Sequence, residues 1–127
     1  RAEYVGGEFV YAVRVDTSAG SFELCPADAC VVDPAAGTDA APAYPPFALR
    51  GEITADHPLV AQHRDFLRAV DIRIAGIEFV ETIDGRLVTY DLNTNTNYNP
   101  DVEASAHASG PGEIARYLGG LLGEARN

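Results

Sequence analysis

The chain has 127 residues, one domain's length, enough to bury roughly two-thirds of the surface an unfolded chain exposes. With 46% hydrophobic and 22% charged residues, disorder and collagen-like structure are excluded. A formal net charge of −10 argues against nucleic acid and anionic membrane surfaces as partners, and no apolar run approaches the ~18 residues of a membrane helix.

The first segment reads as a hairpin. Arg1–Val5 and Glu8–Val15 alternate and are rich in strand formers, with Gly6-Gly7 between them suited to a two-residue turn. Such a turn pairs Val5 with Glu8, Tyr4 with Phe9 and Ala2 with Tyr11. It would put Tyr4, Phe9, Tyr11, Val13 and Val15 on a core face and Arg1, Glu3, Val10, Ala12 and Arg14 on the other. The chain contains no methionine, even at position 1, and opens straight into this strand; it is expected to be a fragment whose upstream part is missing.

Ser21–Cys25 reads as a short strand, and the Pro- and Ala-rich stretch 34–50 as a mobile loop without periodicity. Asp56 is the expected N-cap of a helix running to about Val70, with Pro58 in its first turn and Leu59, Val60, Phe66, Leu67 and Val70 as its apolar stripe. Ile72–Glu81 and Leu87–Asn93 read as strands joined at Asp84-Gly85. A last helix follows Ser109-Gly-Pro-Gly, with Ile114, Tyr117, Leu118, Leu121 and Leu122 on one stripe; three glycines weaken it, so packing must hold it. The expected fold is a single α+β domain with a mainly antiparallel sheet and two or more helices packed on it.

The second hairpin carries the chemistry. If Asp84-Gly85 is a two-residue turn, Glu78 lies opposite Asp91 and Gly76 opposite Asn93, and these polar side chains share one face. The opposite face, with Ile77, Phe79, Val88, Tyr90 and Leu92, is then the core face that sets the register. Two carboxylates with Cβ atoms ~4.5–5.5 Å apart repel unless something neutralises them. A Mg²⁺ does so with oxygen ligands and substrate phosphates, and Asn93 can add an amide oxygen. Gly76 leaves room for an approaching group. A solvated strand face, its repulsion screened by water, is the equally weighted reading.

Gly76-Ile-Glu78-Phe, followed by Asp91-Leu-Asn93-Thr-Asn with Asp91 thirteen positions after Glu78, resembles the C-terminal metal-binding strands of ATP-grasp ligases. The glutamate-ligase-like (RimK-type) group is the nearest likeness, and the opening hairpin resembles a strand pair of the same subdomain. The likeness spans most of the chain except the 34–50 loop. It implies a C-terminal ATP-grasp subdomain in which Glu78, Asp91 and Asn93 hold one or two Mg²⁺ ions bridging the phosphates of ATP. It further implies Arg1 or Arg14 as catalytic cations facing phosphate or acyl-phosphate, and Asn95 as a substrate contact. The implied reaction is ATP-dependent joining of a carboxylate to an amine through an acyl-phosphate. Two features depart from the pattern: Asp91 stands where many relatives carry Glu, and no glycine loop or lysine-bearing phosphate motif is present. The chain alone is therefore expected to be inactive and to need the missing N-terminal part of the same protein.

The other candidates carry less. Arg14 reads equally as an ion-pair partner of Glu3 or Glu8. Cys25 and Cys30 lack further ligands for a zinc site; free thiols in a cytoplasmic chain are expected, with a redox pair as the weaker reading. His57, His63 and His107 have no carboxylate at a catalytic spacing and read as surface or half-buried. Asn93, Asn95, Asn97 and Asn99 also suit a strand fraying into a turn, and Tyr98 reads as a lid over apolar surface. No Ser-His-Asp set, Walker-type loop or dinucleotide fingerprint occurs. The alternative function is a small non-catalytic binding domain whose acidic hairpin is solvated. Exposed apolar surface on such a chain can drive homodimer formation.

Overall fold

A computed structural model describes residues 1–15 and 47–126. Its elements in chain order are β1 (Ala2–Val5), β2 (Glu8–Val15), β3 (Phe47–Leu49), α1 (Pro58–Ala69), β4 (Ile74–Glu81), β5 (Leu87–Asn93), α2 (Pro100–Ser105) and α3 (Gly110–Glu124). The strands form one five-stranded sheet in the order β3-β2-β1-β4-β5, and every neighbouring pair is antiparallel. The α+β class and the antiparallel sheet are thus as expected. Gly6 and Gly7 make the first turn with φ of 64° and 82°, a backbone region that side chains with a Cβ resist.

Both faces of the sheet are covered. Leu59, Val60 and Leu67 of α1 pack on Ala2, Tyr4, Ala12, Ala75, Ile77 and Phe79. Val102 of α2, with Ile114 and Tyr117 of α3, packs on Val5, Tyr11, Val13 and Ile74 across the other face. That arrangement explains why β1 is buried at every residue: it is the central strand, with helices above and below.

Two β-bulges correct the expected registers. In the first hairpin, Val5 pairs with Glu8 and Tyr4 with Phe9, but Glu3 then pairs with Tyr11 and Ala2 with Ala12. Val10 is the extra residue, and beyond it every β2 side chain changes face. Tyr11, Val13 and Val15 therefore lie on the α2/α3 side, and Ala12 and Arg14 on the α1 side. In the second hairpin the loop holds three residues rather than two, because Thr82 N–H donates to Arg86 O at 2.9 Å and Gly85 N–H to Thr82 O at 2.9 Å, with Gly85 at φ 80°. Phe79 consequently faces Thr89, and a bulge at Tyr90 restores the pairing of Glu78 with Asp91. The expected pair is present through two shifts that cancel. Tyr90, expected in the core, is 56% exposed, and Val88 is exposed as well.

The helix limits also differ in detail. His57, not Asp56, caps α1: its side chain accepts from Leu59 N–H. Phe66 and Val70 of the expected stripe are exposed, while His63 takes an inward position. The short helix α2 was not foreseen; Asn99 caps it by accepting from the N–H groups of Asp101 and Val102. Asn99→Ala should cost about 1 kcal/mol of stability, read as a lowered denaturation midpoint. Residues 47–49, expected in the loop, form edge strand β3 against Val13–Val15. Residues 34–46 of that stretch, the Ser21–Cys25 strand, Cys25 and Cys30 lie outside the described residues. Helix α3 starts as expected, with Ser109 as N-cap, but Leu118, Leu121 and Leu122 on its second half are exposed.

Candidate functional site

The polar face of the second hairpin is continuous with that of β1. Glu78 lies opposite Asp91, and Gly76 opposite Asn93. On the other edge of β4, Glu3 pairs with Gly76, and Arg1 continues that strand. Side chains of Arg1, Glu3, Glu78, Asp91 and Asn93 thus emerge on the α2/α3 side of the sheet, because positions two apart share a face.

The hydrogen bonds show how this face is held. Glu78 is buried, and its Oε2 accepts from Tyr90 O–H at 2.7 Å. The bulge is what makes this bond available, since it turns Tyr90 out of the core. Burial, then the bond to Glu78, pushes the Tyr90 phenol up to about 12, so it remains a donor at neutral pH. Glu3 is fully buried and takes the Arg1 guanidinium as its ion-pair partner. Burial pushes the Glu3 carboxyl above its ordinary range, and the adjacent Arg1 cation pulls it back. The second Arg1 contact is a bond from its guanidinium to Asn97 O at 2.7 Å. Arg1 is therefore engaged on the face with Glu3, while Arg14 stands on the α1 side of the sheet.

The space at Gly76 is already used. A Cβ there would lie 2.4 Å from Thr96 Cγ2, 3.1 Å from Glu3 Oε2 and 3.2 Å from Arg1 Cδ. The chain after β5 folds back over Gly76, and Thr96 O–H donates to Glu3 Oε2 at 3.1 Å. Strand β5 ends at Asn93, so the alternation that would have carried Asn95 onto this face does not continue. Instead the Asn93 side-chain oxygen accepts from Asn95 N–H at 2.8 Å, an Asx turn. The Asn95 side chain is exposed.

Beside this face runs a groove of about 860 Å³, lined by Arg1, Arg14, Arg50, Glu78, Tyr90 and Asp91 among others. Arg50 was not singled out in the sequence. It contacts Glu52 at 2.7 Å and Glu81 at 3.1 Å, and its guanidinium lies 5.7 Å from the Phe79 ring centre. No sequence motif marks it, because Glu81 and Phe79 reach it only through the sheet.

The donor set suits a hard cation in part. Among the described residues no three His, Cys, Asp or Glu side chains converge as a metal site. Of the carboxylates lining the groove, Glu78 and Asp91 face each other across the hairpin, and the amide of Asn93 lies in the adjoining row. Glu78 keeps Oε1 free of the Tyr90 bond, and Asp91 is exposed. Such a set matches Mg²⁺, which commonly takes one or two carboxylates and completes its shell with water and phosphate oxygens.

The histidines fall into different surroundings. His63 is 5% exposed. One ring nitrogen meets Tyr4 Oη at 2.8 Å and the other Thr89 Oγ1 at 2.7 Å. His57 is spent on its cap, and His107 is exposed. No helix of the described residues is long and apolar enough to cross a membrane. Comparison with known protein families, curated proteins and solved structures finds no match to this chain.

Proposed function

We propose that this chain is the Mg²⁺-ligand-bearing, C-terminal part of an ATP-grasp carboxylate–amine ligase of the glutamate-ligase-like group. The observation that carries the reading is the facing pair Glu78 and Asp91 in the wall of a groove, with Asn93 opposite Gly76 in the adjoining row. Glu78 Oε1, Asp91 and Asn93 would hold the cation, which when bound neutralises phosphate charge. Tyr90 keeps the Glu78 carboxylate directed, Arg1 supplies positive charge beside it, and Arg14 and Arg50 line the same groove. Asn95, exposed just past the end of β5, is the proposed substrate contact, reached from the turn rather than from the strand face. In the proposed reaction a substrate carboxylate takes the γ-phosphoryl group of ATP, and an amine then displaces phosphate from the acyl-phosphate. The remaining phosphate contacts would come from another part of the same protein, in the cytoplasm.

The second reading is a binding domain whose acidic face is internally satisfied. It is favoured by the bonds that Glu78 and Asn93 already accept from Tyr90 and Asn95.

Calorimetric titration of Mg²⁺ in the presence of ATP separates the two. Saturable binding is expected, and Asp91→Ala should weaken it at least about tenfold, near 1.4 kcal/mol, without changing the fold, since Asp91 is exposed. Equal binding by the variant, or no binding by the full-length protein, overturns the ligase reading.

A further inference from the structure

Between the end of β5 at Asn93 and the start of α2 at Pro100, residues 94–97 pass as a strap over Gly76. Its two ends are held differently. At the far end Thr96 O–H donates to the buried Glu3 carboxylate at 3.1 Å, and Thr96 Cγ2 fills the space that a side chain at position 76 would need. Asn97 O accepts there from the Arg1 guanidinium at 2.7 Å. The near end is held by one bond, from Asn95 N–H to the Asn93 side-chain oxygen at 2.8 Å. Thr94 and Asn95 are exposed, so little packing backs that bond.

Asn93 has one oxygen for two tasks. The other arm of its amide is a nitrogen with two donors, which offers a cation nothing. The oxygen lies beside Asn95 N, past the last residue of the strand. A cation shared with Glu78 and Asp91 would lie the other way, because Asp91 stands two residues back along β5 on the same face, opposite Glu78. To reach it the Asn93 side chain has to turn, and turning gives up the bond to Asn95.

We propose that the Asn93 side chain is a two-position latch, closed on Asn95 in the absence of a divalent cation and turned to the cation when one is bound. The turned position frees Thr94 and Asn95 and leaves Thr96 and Asn97 fixed. The inference rests on the ligase reading and adds an order to it: Asn95 is released to the substrate only after the metal has been taken. A single exposed hydrogen bond is a small cost, and the contact that Asn93 makes only with the cation supplies the difference between the two positions.

The test is backbone ¹⁵N relaxation of the chain with ATP present, before and after Mg²⁺ is added to saturation, in the native sequence and in Asn93→Ala. In the native chain the order parameters of Thr94 and Asn95 should fall from about 0.85 to below about 0.6 on adding Mg²⁺, while Thr96 and Asn97 keep theirs. In Asn93→Ala the values at Thr94 and Asn95 should already be low and should not change with Mg²⁺, with Ile77 reporting that the sheet is intact. Saturable Mg²⁺ binding that leaves Asn95 ordered overturns the latch and leaves the cation site standing. Equal loosening of Thr96 and Asn97 also overturns it, since the whole strap would then be leaving Gly76. An ordered Asn95 in Asn93→Ala shows that the Asn93 oxygen does not hold the strap. No saturable Mg²⁺ binding removes the latch together with the cation site on which it rests.

Discussion

Acidification from pH 7 to pH 4 should cost the fold about 3 kcal/mol through His63 alone. The ring is buried between the rings of Tyr4 and Phe79, with centroids 5.7 and 6.3 Å away. Its two nitrogens are bonded to the Tyr4 and Thr89 hydroxyls, and among the described residues no carboxylate is hydrogen-bonded to it. Burial, aided slightly by the Arg1 amine, lowers its pKa from 6.5 to about 4. A histidine depressed on folding binds its proton more readily in the unfolded chain. Above pH 6.5 both states are neutral and the group has no effect; stability is then lost as the pH falls from about 6.5 to 4. At 1.36 kcal/mol per unit the shift amounts to about 3 kcal/mol.

Glu3 acts in the opposite sense, because a carboxyl raised on folding favours the folded state as the pH falls. The informative quantity is therefore a difference. Urea denaturation at several pH values between 4 and 7 should show a slope for the native chain that is much flatter in His63→Gln, whose side chain does not titrate. Parallel slopes for the two proteins would mean that His63 is not held neutral.

Gly76→Ala should destabilise the protein by about 3 kcal/mol. Gly76 is pinned by strand pairing to Glu3 on one side and Asn93 on the other, so its backbone cannot retreat. The added methyl would meet Thr96 Cγ2 at 2.4 Å, and overpacking of this kind costs about 1–3 kcal/mol. Moving Thr96 away would also break its bond to the buried Glu3 carboxylate, a further loss of about 1–2 kcal/mol. At this chain length the thermal midpoint should fall by roughly 10 °C. Thr96→Ser removes Cγ2 but keeps the hydroxyl, so the double variant should recover more than half of the loss. An unchanged midpoint for Gly76→Ala would show that Thr96 does not pack there.

The same position shows how far reading the sequence can go. Gly76 stood out as a gap opposite Asn93, and the pairing is as read. What fills the gap is the chain's own Thr96, with Glu3 and Arg1 beside it. Those contacts link residues 3, 76 and 96, and no local pattern reports them. Asn95 illustrates the opposite limit: alternation predicts its side only while the strand lasts, and the Asx turn at Asn93 ends it.

Local chemistry was enough for the elements themselves. Gly-Gly and Asp-Gly turns, strand-rich alternation around them, and the apolar spacing of two helices are properties of neighbouring residues, and they determined the hairpins, α1, α3 and the α+β class. Tertiary structure decided which face each residue serves. One inserted residue at Val10 and one at Tyr90 reverse the alternation beyond them, because a sheet's period is two. Those bulges separate Arg14 from Arg1, bring Tyr90 to Glu78, and turn Thr89 inward to His63. Their positions depend on where α1 on one side and α2 with α3 on the other can bury the sheet, which is a property of the assembled core rather than of any segment.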